Sequence, residues 1–573
     1  TGHAFRYTQR WGEQTFTLIG QADRMRGEVN GREVFSCSGG VRIVTDLEGK
    51  LREVVGIHPE PQSIVVCAEG ARWELTVAPN QVFGWQGGQP RLLGATPFDF
   101  PFGSCSREER SSLRKGPCHI LLRSSWQAVN IGDIGHTPGV LRLLERHFPE
   151  AKVTLWPADS DAKVHEMLAA AFPKVAIVRG SLSADGKPST RALATALAEA
   201  DFLLHGSGPS VVARRDVAGW WRLTGKPYGI YGVTIDPISA LEGVTTEGDT
   251  IANLTTAVGR LPCDHLAPDL RAILERARFV FCRDTLSLRY LRSQHLAGPH
   301  VDFAPDGAFG MELRNDRLAE LYLREHDLTA GKFICVIPRL RYTPYHLIRR
   351  QTPTQRDKDR AAISARHAEE DLGKLREMIV RWVRETGGKV LVCPEMTYQI
   401  DTGREFLVDR LPADVKPHVV LRDRFWLPDE ACSVYAQAEA VVSLDNHSPI
   451  FALAMGTPAM YVRQPTDTIK GQMWNDVGVG DWFREIGQVS GQSLCEDLLA
   501  IHRNPEAARA RVRKIMEGVR RTQAATMGVV KAENIAPRPS AALDSVLRSD
   551  MSHVLPAVRA VPTSEPARTV RGT

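Results

Sequence analysis

The stretch VVSLDNHSPIFALAMGTPAMYV, residues 441–462, joins two apolar elements through a short polar cluster. Its first residues are aliphatic and predict a buried strand, and the IFALAM segment that ends at Gly456 predicts the helix that follows. In open parallel sheets, ligands bind where strands pass into helices, at the carboxyl edge of the sheet. The polar residues at this position are Asp445, Asn446, His447 and Ser448.

The same alternation of strand and helix extends through most of the chain. From His119 onward the strand-like runs are HILLRSS, KVTLWP, KVAIVRG, DFLLHGSG, PYGIYGVTID, FVFCRD and VDFAPDGAF. The pattern restarts near Lys332 with KFICVIPRL, KVLVCPEM, HVVLRDR, AEAVVSLDN and PAMYVRQ. Apolar strands that alternate with amphipathic helices predict parallel sheets covered on both faces. We therefore predict an α/β protein with two doubly wound, Rossmann-like domains, residues 116–330 and 331–535, which face a cleft.

The two ends of the chain differ from this pattern. Residues 1–115 contain short alternating runs that Gly, Pro and Asn interrupt repeatedly, which predicts a small β-rich module followed by a linker. Residues 536–573 are rich in Ala, Pro, Ser and Arg, and they predict a disordered tail.

Composition excludes several classes of protein. The 573 residues carry 72 Lys and Arg against 67 Asp and Glu, a balance too mild for a dedicated nucleic-acid binder. No apolar run reaches the roughly 18 to 20 residues that cross a bilayer. The ten cysteines are scattered without a C-x-x-C pair, which predicts free thiols and no metal site. Because the chain starts at Thr1, export stays open beside a cytoplasmic or peripheral membrane location, and the oligomeric state is open too.

Two small-residue loops of the first domain follow predicted strands. We expect the first loop to lead into a helix at Thr137–Pro138, where Thr can cap the helix and Pro suits its first turn. Such loops either offer backbone N–H groups to a ligand or serve only as tight turns. The residues concerned are Asn130, Gly132 and Asp133 in the first loop, and Gly206, Ser207 and Gly208 in the second.

Several cations lie at predicted strand ends. Arg283 follows one strand and Asp306 another, so Arg283 either binds an acidic ligand or forms a structural ion pair, which is the commoner outcome. In the second domain a long basic loop extends to Arg360, and loops of this length are functional or disordered. The planar guanidinium matches carboxylate and phosphate oxygens, which favours a small, doubly anionic substrate. The other cations near the predicted cleft are Arg339, Arg341, Arg463 and Lys470.

Taken in order, five motifs resemble the polysaccharide pyruvyl transferase family over about residues 116–490. They are NIGD at 130–133, GSG at 206–208, CRDTLS at 282–287, PDGAF at 305–309 and the stretch 441–462. The resemblance implies a fold similar to two-domain glycosyltransferases of the B type. It also implies transfer of a pyruvyl group from phosphoenolpyruvate to a sugar hydroxyl of a glycan or glycan precursor, without a cofactor.

The resemblance further implies roles for individual residues. His447 is the expected general acid, because imidazole titrates near neutral pH. The family motif usually reads Arg-x-His, but Asp445 stands in the position of that Arg, so another cation must replace it or the donor differs. Expected donor contacts are Arg339, Arg341, Arg463, Lys470, Arg283 and Ser448. Expected acceptor or loop contacts are Asn130, Gly132, Asp133, Gly206, Ser207, Gly208, Asp306, Asp445 and Asn446.

Two alternatives stay open at this stage. The first is a nucleotide-sugar-dependent glycosyltransferase, in which the second domain would bind the nucleotide. The second is a non-catalytic carbohydrate-binding protein that has kept the fold, a reading that the Asp445 substitution favours. A binding experiment separates the three hypotheses. Binding of phosphoenolpyruvate indicates the pyruvyl transferase, binding of a nucleoside diphosphate indicates the glycosyltransferase, and binding of neither indicates the carbohydrate-binding protein.

Overall fold

The computed structural model describes residues 118–159, 161–183, 186–238 and 249–533 in full. Within residues 5–95 and at 534–535 it describes only the backbone of strands and of a helix end. The linker predicted before residue 116 and the predicted tail 536–573 lie outside the described residues.

The chain divides into two compact units, with the boundary between Pro117 and Cys118. In the first unit, the described strands form two antiparallel sheets. Across the larger sheet the strands are Phe5–Trp11, Gln14–Gln21, Arg24–Val29, Arg32–Ser38, Gln62–Ala68 and Ala71–Val77. Across the smaller sheet they are Gln89–Ala95, Gln81–Gln86, Leu51–Gly56 and Val41–Thr45. The side chains of this unit are not described, so the packing of the predicted β-rich module stays a prediction.

The second unit begins with a parallel sheet of seven described strands. His119–Ser124 lies near the centre, where Ile120 pairs with Val153 on one side and with Phe202 on the other. The chain winds away from this strand in both directions, which makes its carboxyl end a topological switch point. Across the sheet the strands are Ala176–Ile177, Lys152–Pro157, His119–Ser124, Phe202–His205, Tyr228–Val233, Phe279–Cys282 and His300–Phe303.

A second parallel sheet, of six described strands, repeats this winding. Its switch point lies between Phe333–Ile337 and Ala440–Ser443, both fully buried. The two doubly wound α/β domains are therefore confirmed, although the short edge strand Phe483–Glu485 carries too little apolar pattern to be predicted. Across the sheet the strands are Val419–Leu421, Lys389–Val392, Phe333–Ile337, Ala440–Ser443, Ala459–Arg463 and Phe483–Glu485.

Helices cover the faces of both sheets. Those before the second sheet are Ile131–His147, Ala162–Ala171, Arg191–Glu199, Arg214–Thr224, Ile251–Gly259, Pro268–Arg276, Thr285–Ser293 and Asp316–Glu325. The later ones are Tyr345–Ile348, Gln355–Thr386, Gln399–Gly403, Pro428–Gln437, His447–Ala454, Met473–Asp476, Gly491–Arg503 and Pro505–Ile535. The last helix returns to the first domain, where Thr526 lies 3.2 Å from the Tyr231 hydroxyl. Among the described residues, no helix is both long and apolar enough to cross a membrane.

The first helix of the first domain begins earlier than the sequence predicts. It starts at Ile131 rather than at Thr137, because the Asn130 side chain caps it by accepting the Gly132 N–H at 2.7 Å. Pro138 lies inside the helix, where it has no backbone N–H to donate to the residue four positions earlier. As a result, the NIGD motif forms the first turn of a helix and not a loop.

The basic loop of the second domain is also shorter than predicted. A helix begins at Gln355, so Arg356 and Arg360 belong to a helix and not to a loop. Thr354 and Asp357 form a reciprocal capping box, which satisfies the backbone N–H groups of both residues and fixes this start.

The stretch 441–462 folds as predicted. The strand Ala440–Ser443 passes through the polar cluster into the helix His447–Ala454, and the strand Ala459–Arg463 follows. Gly456 ends the helix with φ of 86°, a left-handed conformation that glycine adopts without steric cost.

Candidate active site

The carboxyl edges of the two sheets meet at one place. Ile131, at the start of the first helix, donates its N–H to the Glu395 carbonyl of the second domain at 2.9 Å. The neighbouring Asn130 forms an isolated β-bridge with Met396. The carboxyl edges of both sheets therefore meet at this junction, and ligands of doubly wound proteins bind at such an edge.

His447 crosses this junction and packs on the first turn of the opposite helix. A Cβ atom placed on Gly132 would lie 2.2 Å from the His447 Nδ1 atom. A larger residue at position 132 would push the imidazole away, so glycine is required here for close approach and not for its backbone freedom. The glycine of the NIGD motif thus makes room for His447.

Two buried carboxylates flank the His447 ring. Its Nδ1 atom lies 3.3 Å from Glu395 Oε1, and its Nε2 atom lies 3.8 Å from Asp306 Oδ2. Burial disfavours the charged imidazole, but Asp306 and Glu395 outweigh this effect and raise the pKa of His447 to about 9. His447 is therefore protonated at neutral pH.

Glu395 belongs to the site, although sequence reasoning did not assign it. It follows the strand Lys389–Val392 and accepts the Ser448 N–H at 2.6 Å and the Ser448 hydroxyl at 2.8 Å. It also accepts the His447 N–H at 3.2 Å, so its charge lies at the positive end of the helix His447–Ala454. Burial opposes ionisation, yet these donors and the His447 ring lower the pKa of Glu395. The sequence feature that could have indicated Glu395 as a site residue was its place after a predicted strand.

Asp306 is held by three groups of the first domain. Arg283 Nη1 donates to Asp306 Oδ2 at 2.6 Å, and the Ser207 hydroxyl donates to Asp306 Oδ1 at 2.9 Å. His136 Nδ1 lies 2.9 Å from Asp306 Oδ1. Although burial opposes ionisation, His136 and Arg283 hold the pKa of the Asp306 carboxyl well below its usual range. Asp306 is therefore a permanent negative charge.

His136 is a second imidazole on the same carboxylate, and sequence reasoning missed it. It is fully buried, and burial lowers its pKa, so it is neutral where His447 is charged. The two rings pack edge to face with centroids 4.7 Å apart. Neither Nε2 atom has a hydrogen-bond partner among the described residues. The pKa of His447 is raised and that of His136 is lowered. Neighbouring titratable groups with opposite pKa shifts are typical of sites where one group acts as an acid and the other stays neutral.

The predicted cations differ in what holds them. Arg283 is buried and bonded to Thr234 and Asp306, which is the structural ion pair considered above. Arg341 makes two bonds with Asp371, and Arg463 bonds to Glu485 and several carbonyl groups. Arg283 and Arg341 are therefore occupied within their own domains, and Arg463 also donates to the Asp249 carbonyl of the first domain at 2.9 Å.

Arg339 and Lys470 lie closer to the polar cluster. Arg339 Nη1 is 2.8 Å from Asp467 Oδ1, and Lys470 Nζ is 3.0 Å from the same oxygen. Arg339 Nε also lies 3.7 Å from Asp445 Oδ2. Asp445, in the position where the family has Arg, therefore contacts the guanidinium that could replace that Arg.

The Asp445 carboxyl carries an unusual protonation equilibrium. It accepts the Gln399 amide at 2.9 Å and the Asn446 N–H at 3.0 Å. Burial and the nearby Glu395 charge raise the pKa of Asp445 to about 6, although Arg339 acts in the opposite direction. Near neutral pH, a small change in local charge is enough to protonate this group.

The remaining predicted contacts lie around this centre. Asn446 accepts the Trp474 indole N–H at 2.9 Å, and Asp133 accepts the side-chain amide of Gln127. Gly206 and Gly208 flank Ser207, whose hydroxyl reaches Asp306. The structure therefore brings Ser207, Arg283, Asp306, His447 and Ser448 into one cluster.

One group of residues in the described part of the chain has the spacing of a metal site. Ligand atoms of His136, Asp306 and His447 all lie within 4.8 Å of one another. Asp306 also binds Arg283, and a metal ion would have to displace the proton of His447 before its ring could become a ligand.

Fold and site together define a two-domain α/β protein with an acid–base cluster at its interdomain junction. The family model described as polysaccharide pyruvyl transferase matches residues 130–464, more than half of the chain. The chain belongs to this family, and the resemblance found from the five motifs is confirmed.

No curated protein matches the chain. Among solved structures, a ugt transferase from Siraitia grosvenorii in complex with UDP is similar at 10% identity and a TM-score of 0.44, over 73% of this chain and 100% of that one. HepE from Anabaena, in complex with UDP and glucose, has 11% identity and a TM-score of 0.42, over 73% and 99%. A UDP-GlcNAc 2-epimerase from Neisseria meningitidis, bound to UDP-GlcNAc, has 10% identity and a TM-score of 0.41, over 72% and 99%. These similarities are too low to bear on substrate or mechanism.

Proposed function

We propose that this protein moves a pyruvyl group from phosphoenolpyruvate to a sugar hydroxyl of a glycan or glycan precursor, as a ketal. The observation that carries the proposal is the protonated His447 between two buried carboxylates, Asp306 and Glu395. Membership of the polysaccharide pyruvyl transferase family supports the same reaction. Phosphoenolpyruvate serves as co-substrate, and no cofactor takes part.

The reaction balances as an addition followed by a substitution. A proton adds to the methylene carbon of phosphoenolpyruvate, and one sugar oxygen bonds to the neighbouring carbon. The C–O bond to phosphate then breaks, and a second sugar oxygen bonds to the same carbon. Of the two hydroxyl protons released, one balances the proton that formed the methyl group, and the other leaves with inorganic phosphate.

His447 is the proton donor in this scheme. Its ring is charged at neutral pH, and its Nε2 atom has no hydrogen-bond partner among the described residues. Glu395 holds the opposite ring nitrogen, which fixes the orientation of the acid. Such a positioned acid typically contributes a factor of about 10² to 10⁴ in rate.

Asp306 and His136 keep His447 protonated. Asp306 is ionised and stabilises the His447 imidazolium. The buried His136 stays neutral, so it does not neutralise the Asp306 charge. Arg283 holds the Asp306 carboxylate in place at 2.6 Å. In this proposal, Arg283 is a positioning residue rather than a direct donor contact.

Arg339 and Lys470 are the cations proposed to hold the carboxylate or phosphate of the donor. In the described structure, Asp445 and Asp467 neutralise both of them. Because the pKa of Asp445 is about 6, an approaching anion would favour its protonation and leave positive charge in excess. The Asp in place of the family Arg is thus compatible with an anionic donor.

Calorimetric titration with phosphoenolpyruvate tests the proposal, with UDP titrated in parallel. Wild-type protein should bind phosphoenolpyruvate saturably, and Arg339→Ala should weaken this binding by about tenfold or more, since charged hydrogen bonds contribute roughly 1.5–3 kcal/mol. Binding of UDP alone would overturn the proposal in favour of a nucleotide-sugar-dependent glycosyltransferase. Binding of neither would favour a carbohydrate-binding protein without catalysis.

A further inference from the structure

The segment from Tyr345 to Arg360, here called the basic segment, combines an exposed apolar tip with positive charge. Leu347 lies on the short helix Tyr345–Ile348 and is 66% exposed, more than any other large hydrophobic residue of the described part of the chain. The cations that follow it are Arg349, Arg350, Arg356, Lys358 and Arg360.

Within the described part of the chain, these cations lack a salt-bridge partner. None of the five forms an ion pair with a described residue, whereas exposed cations elsewhere do, such as Arg384 with Asp414 at 2.9 Å. The two acidic residues of the segment are used locally. Asp357 accepts the Thr354 N–H at 2.9 Å, and Asp359 accepts the Gln355 side-chain amide at 2.8 Å.

Two of the arginines lie against aromatic rings. The Arg349 guanidinium is 4.8 Å from the Tyr345 ring centre, and the Arg360 guanidinium is 5.0 Å from that of Tyr342. Cation–π packing of this kind holds a guanidinium in position while its N–H groups stay available to an anion. The surface therefore offers positioned donors rather than freely moving side chains.

The basic segment also borders the proposed active site. It follows the strand Phe333–Ile337, at the same edge of the sheet as His447. The Tyr345 hydroxyl accepts the side-chain amide of Gln127, from the first domain, at 3.2 Å. Whatever binds the basic segment is thus held beside the junction between the two domains.

We propose that the basic segment docks the protein on an anionic lipid surface, with Leu347 inserted at the interface and the arginines on headgroup phosphates. The argument is charge complementarity together with the apolar tip, since amphipathic surface elements bind anionic membranes through both. A soluble polyanion would use the charges and gain nothing from Leu347. Docking at this segment would present the cleft to an acceptor carried on the membrane.

Sedimentation with vesicles tests this proposal without any measurement of turnover, so its outcome is independent of the proposed function. The full chain is mixed with vesicles of phosphatidylcholine alone, or of phosphatidylcholine with phosphatidylglycerol. We expect binding only to the mixed vesicles, and less of it as salt is added, because screening weakens contacts to headgroups.

Matched variants locate the docking surface. Reversing Arg349 and Arg350 to Glu should lower the partition coefficient by about tenfold or more, because each cation near an anionic surface contributes on the order of 1 kcal/mol. Reversing the adjacent exposed pair Arg520 and Arg521, on the helix Pro505–Ile535, is the charge control and should have no more than about a twofold effect.

The apolar tip has its own control. Leu347→Ser should reduce binding several-fold, whereas Leu321→Ser, at a leucine that is 48% exposed on the helix Asp316–Glu325, should not. No binding to mixed vesicles overturns the proposal. So does loss of binding in the control variants to the same extent, or binding that Leu347→Ser leaves unchanged, which would indicate a soluble polyanion as ligand.

Discussion

Asp306 of the first domain and His447 of the second face each other across the junction, with Asp306 Oδ2 and His447 Nε2 3.8 Å apart. Glu395 lies on the other side of the same ring, 3.3 Å from its Nδ1 atom. The positive charge of His447 is therefore shared between a carboxylate of each domain. Any change that separates the domains removes one of the two charges that keep this imidazole protonated.

Replacement of His447 by Gln should remove turnover while the donor still binds. Glutamine keeps a polar side chain of similar length but cannot deliver a proton, so kcat should fall by about 10³-fold or more. Phosphate release from phosphoenolpyruvate in the presence of a glycan acceptor measures kcat, and calorimetry measures donor binding. His300→Gln, at an exposed histidine of the first domain, is the control and should keep wild-type kcat. Near-normal kcat in His447→Gln would contradict the role of His447 as proton donor.

Alkaline pH should destabilise the wild-type protein through His447. The pKa of this group is about 9 in the folded state against 6.5 for an ordinary histidine, so the folded state keeps a proton that the unfolded state releases. The resulting stabilisation is complete below pH 6.5 and is lost as the pH rises through 9, on the order of 3 kcal/mol in all.

Urea unfolding across this pH range measures the effect. Wild-type protein should lose free energy of unfolding between pH 6.5 and about 9. His447→Gln should be less stable at pH 6.5, because Asp306 and Glu395 then lack their shared counter-charge, and its stability should change less with pH. Parallel curves for the two proteins would contradict the assignment.

Donor affinity should depend on the protonation of Asp445. With a pKa of about 6, its carboxyl is ionised at higher pH and repels an anionic donor, so affinity for phosphoenolpyruvate should decrease as the pH rises through 6. Asp445→Asn should bind phosphoenolpyruvate about tenfold more tightly at neutral pH and lose this pH dependence. Calorimetry at several pH values measures both effects, with Asp302→Asn, at a half-exposed aspartate, as control. Weaker binding by Asp445→Asn would show that the carboxylate itself is needed.

Removal of the Glu395 charge should move the alkaline limit of activity. Glu395→Gln keeps an oxygen that can accept the Ser448 N–H, but it takes away one of the two negative charges that raise the pKa of His447. The alkaline limb of kcat should therefore shift to lower pH by about one unit or more. Glu405→Gln, at an exposed glutamate, serves as control and should leave the profile in place. An unmoved limb would exclude His447 as the titrating acid.

The strand and helix pattern of both domains could be predicted because fully apolar strands leave a strong local signal. The stretch 441–462 shows this clearly, since its strand, helix and terminal glycine all lie where the sequence places them. The start of the first helix was predicted wrongly because Thr137–Pro138 also satisfies the rules for a helix start, and only the capping bond from Gly132 to Asn130 decides between them.

The composition of the site was harder to predict than its location. His136 carries no local signal of function, and Glu395 carries only its place after a predicted strand, because their roles depend on contacts with residues 170 and 52 positions away in the sequence. The same holds for the cations. Whether Arg283, Arg341 or Arg463 is free for a ligand depends on acidic partners from other elements, which a single sequence does not reveal.

The protonation state of His447 is the central claim, and NMR of ring-labelled histidine measures it directly. The His447 signal is assigned by its absence in His447→Gln, and its pKa is read from a pH titration of the wild-type protein. The account predicts a value near 9, with both ring nitrogens protonated at neutral pH. A pKa at or below the ordinary 6.5 would contradict it, because His447 would then be mostly neutral at neutral pH and the two carboxylates would not hold its proton.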